Sequence, residues 1–263
     1  MRLHLGPKTL GTAPAAGQLL ELPPGPARHL QVLRAQPGDR VECFEGDGRA
    51  WWAEVLAIQR QGVTVRLQAE VDEPSPELSR PVCLAVAMPA NDRMDFLVEK
   101  ATELGMAALQ PLVSERSVLR LSGERAERKV AHWSAVAAGA AEQSGRRVVP
   151  QVHPVSTLPA FLQRARSDAS ALRLLLHPQA AAPAAASPPF RTDAQAEDAA
   201  ESVPPIWLLS GPEGGLSPTE AALAREAGFL PVSLGRRVLR ADTAPLTWLA
   251  HFAQIDAARG LEI

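Results

Sequence analysis

The spacing of hydrophobic residues divides the chain into two parts of different character. Up to about residue 72, apolar residues come in short alternating runs, as in RVECFEGDGRAWWAEVLAI (40–58) and again at 63–67. Alternation with a period of two is typical of strands, and the segment Glu45-Gly-Asp-Gly48 between the two runs predicts a hairpin turn. A short helix is predicted over 28–34. The first part is therefore expected to be a small β domain.

After residue 82, apolar runs alternate with segments of helical periodicity. Buried strands are predicted at 82–88, 109–113, 172–176, 206–209 and 232–234. Helices are predicted at 92–104, 123–143 and 243–258, where apolar residues recur every three to four positions. This alternation predicts an α/β domain with a largely parallel sheet.

Proline-rich segments mark a linker and an insertion. The stretch DEPSPELSRP (72–81) is polar and holds three prolines, so the predicted domains are 1–72 and 81–263, joined by a linker at 73–80. Residues 179–204 are rich in alanine, proline and acidic side chains and have little to bury. They predict a flexible insertion between two core strands.

Composition excludes several classes of protein. With 46% hydrophobic and 21% charged residues, the chain of 263 residues is typical of a globular protein. A net charge of −2 means that any nucleic-acid contact must be local. Cys43 and Cys83 have no metal-ligand spacing, so free buried thiols and no metal site are expected. No segment approaches a membrane span or a secretory signal, and a cytoplasmic location is expected.

The sequence LLSGPEGGLSPTE (208–220) connects a predicted strand to a predicted helix. Ser217 is a candidate N-cap, Pro218 the first helical residue, and Glu220 completes a capping box. The preceding loop carries three glycines, which either let a ligand approach the backbone closely or simply form a tight connection. It matches neither a P-loop nor a dinucleotide fingerprint.

Three predicted strands end in unusual loops. They are His177-Pro178 after the third strand, the glycine segment 211–216 after the fourth, and Gly235-Arg236-Arg237 after the fifth. Because ligands of open α/β sheets bind beyond the carboxyl ends of the strands, a common pocket is expected there.

The segment IWLLSGPEGGLSPTEAALAREAGFLPVSLGRRVLRADTAPLTWLA (206–250) closely resembles the C-terminal knot of SPOUT-class RNA methyltransferases. Within that class it is similar to the 16S rRNA uracil-N3 methyltransferases of the RsmE type. Further matches occur in the family's order, at MDFLVEKATELG (94–105), ERSV (115–118), AEQSGR (141–146) and LLLHP (174–178). HLQVLRAQPGD (29–39) resembles the start of the family's PUA-like β-barrel.

The resemblance implies an α/β SPOUT domain with a deep C-terminal trefoil knot, preceded by a PUA-like β-barrel that binds RNA. It also implies methylation of N3 of uridine 1498 of 16S rRNA in the 30S subunit, by a homodimer. The expected dimer face is the last helix, with Leu246, Leu249, Ala250 and Phe252, which could instead belong to the core of a single chain. The implied cofactor is S-adenosylmethionine, with the adenine near Leu234 and Gly235. The implied cofactor-binding residues are Leu176, His177, Gly211, Glu213, Gly214, Gly215, Leu234, Gly235, Val238, Leu239 and Arg240.

Two charged residues are the catalytic candidates. Methylation of uracil N3 requires loss of the imide proton, and Arg240 could stabilise the resulting anion. It could instead pair with Glu213 or Asp242. Glu213 could lie near the sulfonium of the cofactor. The family usually has arginine-threonine-glutamate-threonine-alanine where this chain has Arg240-Ala-Asp-Thr-Ala244, which weakens any specific role for Ala241 and Asp242.

Basic residues in the matching motifs are the candidate RNA contacts, namely Arg34, Arg93, Lys100, Arg116 and Arg146. Lys100 could instead pair with Glu103 one helical turn away. Trp51 or Trp52 could stack on a base or lie half-buried in the barrel. Two other functions remain open, a non-catalytic RNA-binding or ribosome-assembly factor and a SPOUT methyltransferase with another RNA target.

Overall fold

A computed structural model describes residues 1–168, 170–178, 180 and 203–259. Its chain contacts define two compact units, Met1–Glu77 with Ala137–Val149, and Leu78–Val136 with Pro150–Ile263. Nearly all of the predicted insertion at 179–204 lies outside the described residues.

The first unit is built on a five-stranded sheet. The predicted hairpin is confirmed, since β3 (Arg40–Phe44) and β4 (Ala50–Gln59) pair antiparallel. Gly46 and Gly48 between them have φ angles of 93° and 101°, a left-handed conformation that favours glycine. The other strands are β5 (Gly62–Glu70), antiparallel to β4, and the edge strands β1 (Arg2–His4) and β2 (Leu19–Glu21).

Helix α1 of this unit spans Pro24–Val32 instead of the predicted 28–34. It begins earlier because Pro24 occupies the first turn, where its missing N–H and fixed φ are tolerated. Ala27 and Leu30 are buried in the core of the sheet. Arg34 lies beyond the end of the helix, exposed and with a φ of 55°.

The second unit is built on a seven-stranded sheet in which every pair of neighbouring strands is parallel, as predicted. Its strands are β6 (Val82–Ala87), β7 (Met106–Val113), β8 (Gln151–Val152), β9 (Ser156–Thr157), β10 (Leu172–Leu176), β11 (Ile206–Ser210) and β12 (Leu230–Val232). The order across the sheet is β12-β10-β11-β6-β7-β8, with β9 also on β7.

One predicted strand was misplaced. The last strand covers Leu230–Val232 and not 232–234, because Val232 already pairs with Leu176 at the end of β10. Leu234 therefore lies in the loop that follows.

Helices connect the strands of the second unit. They are α2 (Asn91–Glu103), α3 (Gly123–Ser144, divided between the two units), α4 (Leu158–Ser167), α5 (Pro218–Glu226) and α6 (Thr243–Arg259). The apolar positions that predicted α2 form its inner face, where Met94, Leu97 and Val98 are fully buried. Within the described ranges, no helix is long and apolar enough to span a bilayer.

The last helix was predicted to supply the dimer face, and part of that prediction is wrong. Leu249 and Phe252 are buried within the single chain, where Phe252 stacks on Trp248 at a ring distance of 5.5 Å. They belong to the core because α6 packs on α2 and β11. Leu246 and Ala250 are only half-buried.

Candidate functional site

A cavity of about 580 Å³ lies at the carboxyl ends of β10, β11 and β12. These strands are neighbours, with β10 in the middle, so the loops that follow them meet. All eleven residues predicted to bind the cofactor line this cavity. The convergence expected from the three loops is therefore observed, although what each residue binds stays a prediction.

The glycine loop (residues 211–216) is folded tightly upon itself. A Cβ atom on Gly211 would lie 2.9 Å from the amide nitrogen of Leu216. Gly215 has a φ of 66°, and its N–H donates to the carbonyl of Pro212 at 2.8 Å. At these two positions the loop's own geometry requires glycine, in agreement with a tight connection.

The helix after this loop begins as predicted, with a complete capping box. The Glu220 N–H donates to the Ser217 hydroxyl at 3.2 Å, and the Ser217 N–H donates to the Glu220 carboxylate at 2.9 Å. The other Glu220 oxygen accepts the N–H of Glu115 at 2.8 Å. This long-range contact gave no signal in the sequence.

The loop after β12 forms the opposite wall. The Gly235 N–H donates to the Ser233 hydroxyl at 3.2 Å, and Gly235 has a φ of 99°. A Cβ atom there would meet no protein atom within 4 Å, so the backbone at Gly235 is open to a ligand. Val238 has 87% of its surface exposed. Arg237 also lines the cavity, a residue that the sequence placed in this loop but did not predict to bind anything.

Arg240 lies in the lining of the cavity and is exposed. Its carbonyl accepts the N–H groups of Thr243 and Ala244, both at 3.0 Å, which fixes its backbone at the start of α6. Across the described part of the chain, its side chain forms no ion pair with Glu213 or Asp242. The alternative pairing considered for Arg240 is therefore not observed.

Asp242 and Glu213 each contact a helix start. The Asp242 carboxylate accepts the N–H of Thr243 at 2.9 Å. One oxygen of Glu213 accepts the N–H of Ala90, the N-cap of α2, at 3.3 Å. A carboxylate there is favoured by the helix dipole. Among the described residues of the cavity lining, Glu213 is the one carboxylate, and there are three arginines.

The basic residues predicted to contact RNA have different environments. Arg116 is exposed, lines the cavity and donates to the Gly214 carbonyl at 2.9 Å. Lys100 lies 2.8 Å from both Glu103 and Glu99, and donation to these carboxylates raises its pKa. The ion pair between Lys100 and Glu103, which was the alternative to an RNA contact, is thus present. Arg93 is half-buried on α2.

In the first unit, Arg146 is only 3% exposed and pairs with Glu77. The RNA contact of Arg146 stays a prediction, and the burial of this side chain argues against it. Trp51 and Trp52 are half-buried, and the Arg40 guanidinium lies 3.9 Å from the centre of a Trp52 ring. This arrangement agrees with the prediction that both tryptophans lie half-buried in the β-barrel, the alternative to stacking on a base.

Cysteines and possible metal ligands complete the chemistry of the chain. Cys43 and Cys83 are free and buried, as predicted, and burial raises the pKa of each to about 12. No group of three or more His, Cys, Asp or Glu side chains within the described ranges could hold a metal ion.

Family models match both parts of the chain. A model described as an RNA methyltransferase domain matches residues 76–253, and one described as an RNA methyltransferase PUA domain matches 27–68. The chain belongs to the RNA methyltransferase family. It is 36% identical to the ribosomal RNA small subunit methyltransferase E of Synechocystis, over 84% of this chain and 68% of that protein. The Bacillus subtilis protein of the same name is 30% identical over 88% of each.

Solved structures agree with this membership. A ribosomal RNA small subunit methyltransferase E from Neisseria gonorrhoeae bound to S-adenosylmethionine has a TM-score of 0.82, at 30% identity and over 97% of both chains. A putative methyltransferase from Legionella pneumophila in complex with the same cofactor has a TM-score of 0.82 at 32% identity, also over 97% of both chains. The predicted fold class, a SPOUT methyltransferase domain after a PUA-like domain, is confirmed.

Proposed function

We propose that the chain transfers the methyl group of S-adenosylmethionine to N3 of a specific uridine in 16S rRNA of the small ribosomal subunit. The observation that carries the proposal is the cavity at three neighbouring strand ends. It brings together the glycine loop, Glu213 and Arg240, whose side chain pairs with no carboxylate among the described residues. The proposal also agrees with the names of the relatives.

The cavity residues fit this cofactor. A volume of about 580 Å³ lies within the range of ligand sites, about 300–1,000 Å³. Leu176, Leu234 and Leu239 offer apolar surface for an adenine, and the open space beside Gly235 lets a ligand approach the backbone closely. Glu213 would complement a positive charge. When bound, S-adenosylmethionine supplies an electrophilic methyl group.

Arg240 has the properties of a group that stabilises the substrate anion. Uracil N3 becomes nucleophilic only after it loses its proton, and the negative charge then spreads over the neighbouring carbonyl oxygens. The guanidinium of Arg240 can donate to such an oxygen because no carboxylate among the described residues pairs with it. Its backbone is fixed at the start of α6, so the side chain extends from a defined point in the cavity lining.

The test is methyl transfer from labelled S-adenosylmethionine to 30S subunits that lack the modification, followed by nucleoside mass analysis. The wild type should form 3-methyluridine, and Arg240→Ala should lower the rate by about 10²-fold or more, as for loss of one electrostatic stabiliser. Arg225→Ala, an exposed arginine at the end of α5, is the control. Cofactor binding without any methyluridine would instead indicate another RNA target or a non-catalytic assembly factor.

We further propose that the enzyme acts in the cytoplasm as a homodimer on the 30S subunit. The half-buried Leu246 and Ala250 of α6 remain available for a partner. Light scattering of the purified protein should give twice the 28.0 kDa mass of the chain. A mass of one chain at micromolar concentration would refute the dimer.

A further inference from the structure

A second loop, residues 114–117, contacts the glycine loop. Arg116 Nη1 donates to the Gly214 carbonyl at 2.9 Å. The aliphatic part of Arg116 covers Gly214, where a Cβ atom would lie 3.4 Å from Arg116 Cβ. Arg116 therefore fixes the orientation of a peptide group in the cavity wall.

The 114–117 loop is held rigidly by its own hydrogen bonds. The Ser114 N–H donates to the Ser117 hydroxyl at 3.1 Å, and the two hydroxyls lie 2.9 Å apart. Both serines are buried. The Arg120 guanidinium donates to the Glu115 carbonyl at 2.8 Å. The backbone that carries Arg116 is thus fixed on both sides.

Glu220 joins this loop to the end of the glycine loop. It is 3% exposed, and its two oxygens accept N–H groups from segments far apart in sequence, Glu115 at 2.8 Å and Ser217 at 2.9 Å. Neither N–H belongs to a side chain, so the carboxylate joins two stretches of backbone. The glycine loop is consequently held at Gly214 by Arg116 and, directly after its last residue, at Ser217 by Glu220.

We infer that Glu220 and Arg116 are positioning residues for the cofactor, and that together they hold the glycine loop in the conformation that binds it. The inference rests on the proposed function, because it takes S-adenosylmethionine as the ligand. It assigns to Arg116 a role in cofactor binding that needs no RNA. A role in RNA binding alone, which the sequence suggested for Arg116, would leave cofactor binding unchanged.

Calorimetric titration of S-adenosylmethionine into RNA-free protein tests Arg116. Arg116→Ala should raise the Kd about tenfold, equivalent to 1.4 kcal/mol. Arg225→Ala, which removes an exposed arginine from the far end of α5, should leave the Kd unchanged. An unchanged Kd for Arg116→Ala would overturn the inference. Failure of the wild type to bind the cofactor would contradict the proposed function instead.

Amide hydrogen exchange without cofactor tests Glu220. A glutamine keeps the size of Glu220 but directs an NH₂ donor at one of the two N–H groups. In the structure, the Gly215 amide donates to the Pro212 carbonyl at 2.8 Å. Glu220→Gln should therefore increase the exchange rate of this amide about tenfold. The control Glu226→Gln makes the same change on α5, at an exposed pair with Arg166.

Two outcomes of this exchange experiment would refute the role of Glu220. One is unchanged exchange at residues 211–216. The other is an equal increase in the central strand β6 (Val82–Ala87), which would indicate general destabilisation without any specific effect on the glycine loop. A positioning role predicts a local increase with β6 unaffected.

Discussion

Gly211 is the position where the shape of the cavity wall can be tested most sharply. In Gly211→Ala, the new Cβ atom would lie 2.9 Å from Leu216 N, 3.1 Å from Gly215 C and 3.2 Å from Gly215 Cα. These are backbone atoms, so no side-chain rotation can relieve the contact. Gly211 does not have a positive φ, so the effect is purely one of space.

Gly214→Ala provides a matched control three residues away. There the nearest atoms to an added Cβ are Arg116 Cβ at 3.4 Å and Arg116 Cδ at 3.5 Å. These distances are ordinary van der Waals contacts with a flexible side chain. Gly214 does not have a positive φ either. The two variants therefore make the same chemical change and differ in the backbone contact.

The expected size of the effect follows from the contact distances. Inserting a methyl group against fixed atoms costs about 1–3 kcal/mol. In a chain of this size, each kcal/mol lowers Tm by about 2–4 °C. Thermal melts by circular dichroism and calorimetric titration with S-adenosylmethionine should show a lower Tm and a higher Kd for Gly211→Ala than for Gly214→Ala. Equal values for the two variants would refute the explanation.

Three further predictions concern the core, a helix cap and the thiols. Arg147→Met removes one of the two arginine partners of the buried Glu42, leaving Arg2 at 3.3 Å, and should destabilise the protein by about 2 kcal/mol in urea unfolding, where an unchanged midpoint would contradict it. Ser217→Ala loses the N-cap oxygen and should cost about 1 kcal/mol, whereas Ser217→Thr should lose much less. Since burial raises the pKa of Cys43 and Cys83 to about 12, a thiol reagent at pH 8 should label native protein far more slowly than urea-unfolded protein. Equal labelling rates would contradict the burial.

Features determined by neighbouring residues could be predicted from the sequence. The capping box depends on two residues three positions apart, Ser217 and Glu220, and is found as expected. The hairpin turn depends on the glycines between β3 and β4. The parallel sheet follows from the alternation of strands and helices. A signal for α4 was also present, because Thr157 caps it and its second residue is proline, but this helix was not predicted.

Contacts between distant segments could not be predicted in this way. Arg116 reaches Gly214 across 98 positions, and Glu220 reaches Glu115 across 105. A motif made Arg146 a candidate RNA contact, but its burial against Glu77 depends on the fold of the first unit. The last strand was predicted at the wrong residues for the same reason, because the end of β12 is determined by its pairing with the distant strand β10.

The environments of the three cavity arginines support different roles for them. The Arg116 guanidinium donates to the Gly214 carbonyl, so it contributes mainly to the shape of the cavity wall. Arg237 lies in a loop without a helix to fix its backbone. Arg240 combines a backbone fixed by Thr243 and Ala244 with a side chain that no carboxylate in the described ranges neutralises. Stabilisation of a developing anion requires a charge that the protein does not already neutralise, and the fixed backbone keeps that side chain at the cavity, which favours Arg240 for this role.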